Sequence, residues 1–203
     1  MTDNTVDQLP ADSIPSSLNG FEAYDSRPWL KHYSGQSKAE LGTIDYRNLG
    51  DLVSKASQQY AEQPAFTTLL PTGTAGTLSF AEMERLTDQF AAYLRFELGL
   101  AKGDRVAIQS PNCLAYPIFL FGAAKAGCVI VNINPLYVPS EIEHALSDSG
   151  ARLLLMIDMF ADKLEAVIPK SQVETVLITS VADFFPPVSK FIVKTVQRLK
   201  KMV

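Results

Sequence analysis

Cysteine and histidine are scarce in this chain, two of each among 203 residues, and their positions close off several kinds of chemistry. Cys113 and Cys128 are too few for a disulfide framework and fall in no CxxC pair or His/Cys ligand spacing. They are expected to be reduced, buried thiols in a cytoplasmic protein, and no metal ligand is assigned. His32 and His144 have no serine or cysteine beside them in a nucleophile setting. No apolar run approaches the roughly 18 residues that a bilayer span requires. The first 19 residues have neither a basic n-region nor an apolar h-region, so no secretory signal is expected. Repeats of solenoid length are absent, glycine disappears after Gly150, and acidic residues disappear after Asp183.

What remains is 47% hydrophobic and 20% charged, enough to build an ordinary core. The net charge of -4 hides an asymmetry. Beyond Asp183 stand five basic residues, Lys190, Lys194, Arg198, Lys200 and Lys201, while the preceding body carries 13 basic against 22 acidic residues. That acidic body argues against nucleic-acid binding. Residues 1–20, rich in Asp, Ser, Asn and Pro, are expected to be disordered. Residues 21–47 read as an extended arm with Trp29 as its anchor, 48–183 as an α/β subdomain, and 184–203 as a basic amphipathic helix.

The periodicity of Leu49, Leu52, Val53, Ala56 and Tyr60 behind Asn48 predicts a helix closed by Pro64. Residues 65–70 and 77–80 predict a hairpin around the turn at 71–76. Ser79 and Glu82 form a capping box for the next helix, which Gly99 stops. Strands are then predicted at 105–109, 128–131, 153–157 and 175–179. The helices between them are placed behind Asn112, behind a second capping box at Ser140 and Glu143, and at 160–168. Short strands apolar on both faces, separated by helices, imply a doubly wound, mostly parallel sheet with helices on both faces.

The loop Thr72-Gly73-Thr74-Ala75-Gly76-Thr77 has the composition of a phosphate cradle, but it enters a strand and no Lys or Arg follows until Arg85. It reads as a hairpin turn. Glu141, Glu143 and Asp148 read as capping and solvation rather than an acid/base pair. In the tail, Val188, Phe191, Ile192, Val196, Leu199 and Val203 share one side of a helix, with Lys190, Lys194, Arg198 and Lys201 on the other. Two readings stay open: an anionic membrane surface, met by Lys190, Phe191, Lys194, Arg198 and Lys201, or packing against the remainder of a larger protein.

Three stretches carry a family pattern. They are residues 77–83 (TLSFAEM), residues 103–108 (GDRVAI) followed by Ser110-Pro111-Asn112, and residues 121–137 (FGAAKAGCVIVNINPLY). In this order and spacing they resemble the long-chain fatty acyl-CoA synthetases of the adenylate-forming superfamily, over roughly Trp29 to Val203. The resemblance implies part of a large N-terminal domain from an enzyme that activates a long-chain fatty acid with ATP and Mg2+ to an acyl-adenylate and then transfers it to coenzyme A. The family's phosphate loop, [YF]-[ST]-[SG]-G-[ST]-T-G-x-x-K-G, does not occur in these 203 residues and is expected beyond them. No catalytic, cofactor-binding or metal residue is therefore carried over, and the chain alone is expected to be inactive with no cofactor bound.

Asn134, Pro135 and Tyr137 follow a predicted strand end, where open parallel sheets place ligands, or else simply shape the exit turn. A non-catalytic binding or membrane module on the same scaffold is the rival expectation. Self-association through an unpaired sheet edge is a further one, and the inner face of the membrane is a second expected location.

Overall fold

The computed structural model describes residues 27–34, 37, 40 and 42–199. The predicted disordered tail at 1–20, and Lys201 and Val203 of the predicted helix, lie outside them. Residues Met1–Asp45 and Tyr46–Val203 form two compact units. In the first, Pro28–His32 is a 3-10 turn entered through Arg27 at φ 45, where an extended arm is the expectation from sequence.

The second unit opens with α1 (Leu49–Gln59), capped by the Asn48 side chain, which accepts from Asp51 N–H at 2.9 Å. A hairpin follows, β1 (Pro64–Leu69) antiparallel to β2 (Ala75–Ser79). The capping box read from sequence is present: Ser79 N–H donates to Glu82 Oε2 at 2.8 Å and Glu82 N–H to Ser79 Oγ at 3.2 Å. It starts α2 (Phe80–Ala92), whose last turn widens at Tyr93–Glu97 so that Leu98 N–H reaches back to Tyr93 O.

Four strands then form one parallel sheet: β3 (Arg105–Gln109), β4 (Val129–Ile133), β5 (Leu153–Ile157) and β6 (Thr175–Thr179), in the order β4-β3-β5-β6. All five residues of β5 are buried. Alternation along the strands sorts the core into two layers. Val106, Ile108, Leu153, Leu155 and Ile157 pack with Met83 and Leu94 of the α2 segment, with Ile118 and Ala123 of α3 (Ala115–Lys125), and with Val193 of α6 (Pro187–Leu199). Ala107, Leu154 and Met156 pack on the other face with Ile142 and Leu146 of α4 (Pro139–Ser149) and Val167 of α5 (Leu164–Val167). Each fully buried Leu or Ile contributes about 1.5–3 kcal/mol relative to exposure, so the continuous apolar strands, rather than any single contact, hold the two helical layers to the sheet. This is the doubly wound α/β layer anticipated from the alternation of strand and helix.

Three local readings need correction. Asn112 does not cap α3, which starts three residues later behind Leu114 with no side-chain cap. Ser140 and Glu143 do not form a capping box: Pro139 is preset for a first helical position, so α4 begins there, and Glu141 Oε2 accepts from Val138 N–H at 2.9 Å. Valine has no acceptor to complete the pair. Residues 160–168 are not one helix, because Asp158–Lys163 is 3-10, α5 spans one turn, and Pro169 lies in a closing 3-10 turn.

Candidate functional site

The strand order reverses between β3 and β5, since the chain leaves β3 toward β4 and leaves β5 toward β6. In open parallel sheets, ligands bind outside the carboxyl ends of the strands at such a reversal. Three segments converge there: Gln109 ends β3, Asn134–Tyr137 follows the neighbouring β4, and Asp158–Lys163 follows β5.

The segment after β4 is held from within and from both sides. Asn134 Oδ1 accepts from Leu136 N–H at 2.9 Å, and Tyr137 N–H donates to Asn134 O at 3.1 Å. Gln109 Nε2 donates to Asn134 O at 3.4 Å. Lys163 Nζ donates to Tyr137 O at 2.7 Å and Pro135 O at 3.4 Å, and sits 5.4 Å from the centre of the Phe160 ring. Gln109 is 0% exposed, and its Oε1 has no partner among the described residues. Asn134 and Tyr137 are exposed and Pro135 is half-buried. Of the three, Tyr137 alone lines the nearby depression of ≈ 580 Å³ along α4, together with Glu141, His144 and Asp148.

Gln109 and Lys163 are not among the residues expected from sequence. Gln109 left a signal, a polar residue closing the otherwise apolar strand Val106–Ile108; Lys163 left none, because its partners are backbone carbonyls. No thiol nucleophile emerges: burial, followed by the charge of Asp104, pushes the Cys128 thiol above its ordinary pKa and away from the thiolate.

The α6 helix carries the second group of predicted residues. Val193 and Gln197 are the buried positions, whereas Val188, Phe191 and Leu199 are 73%, 73% and 79% exposed. Lys190 and Lys194 turn inward, with Nζ 2.9 and 2.8 Å from Asp183 Oδ1. The apolar stripe expected from sequence thus faces outward, while Asp183, just ahead of the helix, pairs with two of the expected cations, Lys190 and Lys194. Arg198 remains exposed.

The Gly/Thr loop does not fit a nucleotide. Gly73 N–H donates to Leu70 O and Leu70 N–H to Thr74 O, both at 2.9 Å, so these hairpin donors bond within the turn. Thr72 donates to Thr74, and no Lys or Arg lies between Lys55 and Arg85. The loop itself therefore offers a phosphate no cation, and the N–H groups of Leu70 and Gly73 are already engaged. Among the described residues no group of three or more His, Cys, Asp or Glu could hold a metal ion.

A family model for AMP-binding enzymes matches residues 53–199. This chain belongs to the AMP-binding enzyme family. Among similar family members, the long-chain-fatty-acid–CoA ligases of Salmonella typhimurium and Yersinia pestis are 41% and 42% identical over 175 residues, covering 84% of this chain and 30% of each relative. The chain thus spans about a third of the length of the relatives it matches, in their N-terminal part. A crystal structure of a long-chain-fatty-acid-CoA ligase from Archaeoglobus fulgidus superimposes with a TM-score of 0.62 at 24% identity, over 73% of this chain and 32% of that one, a likeness of fold. A Mycobacterium tuberculosis fatty acyl CoA synthetase gives 0.59 at 29% identity, over 65% and 26%.

Proposed function

We propose that this chain supplies the N-terminal sheet scaffold of a long-chain fatty acid–CoA ligase, an enzyme that uses ATP, Mg2+ and coenzyme A to convert a fatty acid to an acyl-adenylate and then to a thioester. The single observation that carries this reading is the identity of about 40% to such ligases across most of the chain. In this role the parallel sheet is a platform, and Asn134, Pro135 and Tyr137, pinned by Gln109 and Lys163, form the part of it nearest substrate. The isolated 203 residues, whose sequence has no phosphate-loop motif, form no acyl-CoA.

The outward stripe of α6 serves either to pack on further protein or to touch the inner face of the membrane from the cytoplasm. The packing reading is favoured by the pairing of Lys190 and Lys194 with Asp183, which removes two cations from any anionic surface. Self-association through β6, where Ile178 is 54% exposed, is the concentration-dependent alternative.

The test is a graft. Replacing the matching segment of the Salmonella ligase with residues 29–199 of this chain should retain palmitoyl-CoA formation within about tenfold of the parent, equivalent to about 1.4 kcal/mol. A folded, ATP-binding chimera with no such activity would refute the assignment.

A further inference from the structure

The segment after β4 turns three consecutive apolar side chains toward solvent: Leu136 is 78% exposed, Tyr137 36% and Val138 52%. None of them belongs to either core layer. Apolar residues scattered singly over a surface need no explanation, but three in a row on a pinned segment at the carboxyl end of a parallel sheet do. What the segment lacks narrows the occupant. Its backbone N–H groups are engaged: Leu136 N–H donates to Asn134 Oδ1 at 2.9 Å, Tyr137 N–H to Asn134 O at 3.1 Å and Val138 N–H to Glu141 Oε2 at 2.9 Å.

Lys163 brings a cation to the segment, but its ammonium faces Tyr137 O, Pro135 O and the Phe160 ring, partners that match its three donors. The depression beside Tyr137 is lined by Glu141 and Asp148 and by no Lys or Arg. The triphosphate of ATP, the phosphates of coenzyme A and the carboxylate of a fatty acid are recognised by cations or free N–H groups, and this surface presents neither from its backbone nor from its rim. Among the ligase's substrates, the hydrocarbon tail is what matches it. We infer that Leu136, Tyr137 and Val138 line the path of the fatty acyl tail, away from the reacting carboxylate, and so help to set chain-length preference. The inference rests on the ligase reading and deepens it.

The experiment uses the chimera that carries residues 29–199 in the Salmonella ligase, assayed with palmitate and with octanoate. Removing most of an apolar side chain from the tail's path is worth about tenfold for a chain long enough to reach it. Leu136→Ala should therefore lower the palmitate-to-octanoate ratio of kcat/KM by about tenfold, through KM for palmitate, with KM for ATP and for coenzyme A within about twofold of the unmutated chimera. Leu136→Asp, which sets a charge in the path, should lower the ratio further. Neither change removes a core contact, so thermal midpoints should match that of the unmutated chimera. A ratio that stays constant in both variants would overturn the inference. So would an equal loss with both acids and a lower midpoint, which would assign Leu136 to packing against the rest of the ligase. A chimera inactive with every fatty acid would refute the ligase reading itself, and the inference with it.

Discussion

Lys194 Nζ lies 2.8 Å from Asp183 Oδ1, so the helix that looks cationic in sequence is tied by its own lysine to the turn after β6. Asp183 also accepts from Ser180 N–H at 2.8 Å and Thr179 Oγ1 at 3.1 Å, and pairs with Lys190. Partial burial works against the charged form, but these bonds outweigh it and hold the Asp183 carboxyl well below the ordinary carboxylate range.

The pH dependence follows from that direction. A carboxyl titrating lower in the folded than in the unfolded chain contributes fully above its unfolded value, about pH 4. The contribution declines as pH falls toward the folded value. Asp183→Asn should cost about 1–3 kcal/mol at pH 7, and its gap from the parent should shrink below pH 4. Urea unfolding at pH 7 and pH 3 checks this; an equal gap at both would contradict it.

Close approach of two helices sets a second expectation. A Cβ on Gly122 would stand 2.7 Å from Phe90 Cδ1 and 3.1 Å from the Thr87 carbonyl oxygen, where α3 crosses α2. The backbone oxygen cannot rotate aside. Gly122→Ala should therefore destabilise by about 1–3 kcal/mol through overpacking, read as a fall in thermal midpoint.

The segment after β4 gives a third. Lys163→Met removes the donor to Tyr137 O and Pro135 O, and should speed amide exchange at residues 136–138 with a stability loss of about 0.5–1.5 kcal/mol. Gln109→Met, by contrast, replaces a buried amide whose oxygen is unpaired and whose one bond is long. It should stay within about 1 kcal/mol of the parent. A large loss for Gln109→Met would mean that its long bond to Asn134 O holds the segment more strongly than 3.4 Å implies.

Much of this architecture was legible from periodicity and length: the apolar run Leu153–Ile157, short and set between two helical segments, reads as a strand buried on both faces, and Ser79 with Glu82 spells a helix start. The start of α4 was misread because two Glu residues, Glu141 and Glu143, compete for one cap, and Pro139 decides between them. Asp183 was missed for a different reason. Its partners lie 7 and 11 residues ahead, on successive turns of a helix, and one-dimensional charge counting separates an acid from the cations that it neutralises. The pinning of Asn134–Tyr137 by Lys163 acts through backbone carbonyls, which have no sequence signature at all.

This chain has the sheet of an AMP-binding enzyme, and the family's phosphate-loop motif does not occur in its 203 residues. Equilibrium dialysis of the isolated chain against labelled AMP and ATP, with and without magnesium, tests it most directly. No saturable binding up to millimolar nucleotide is the expected result. Stoichiometric, magnesium-dependent capture of either nucleotide would contradict the account.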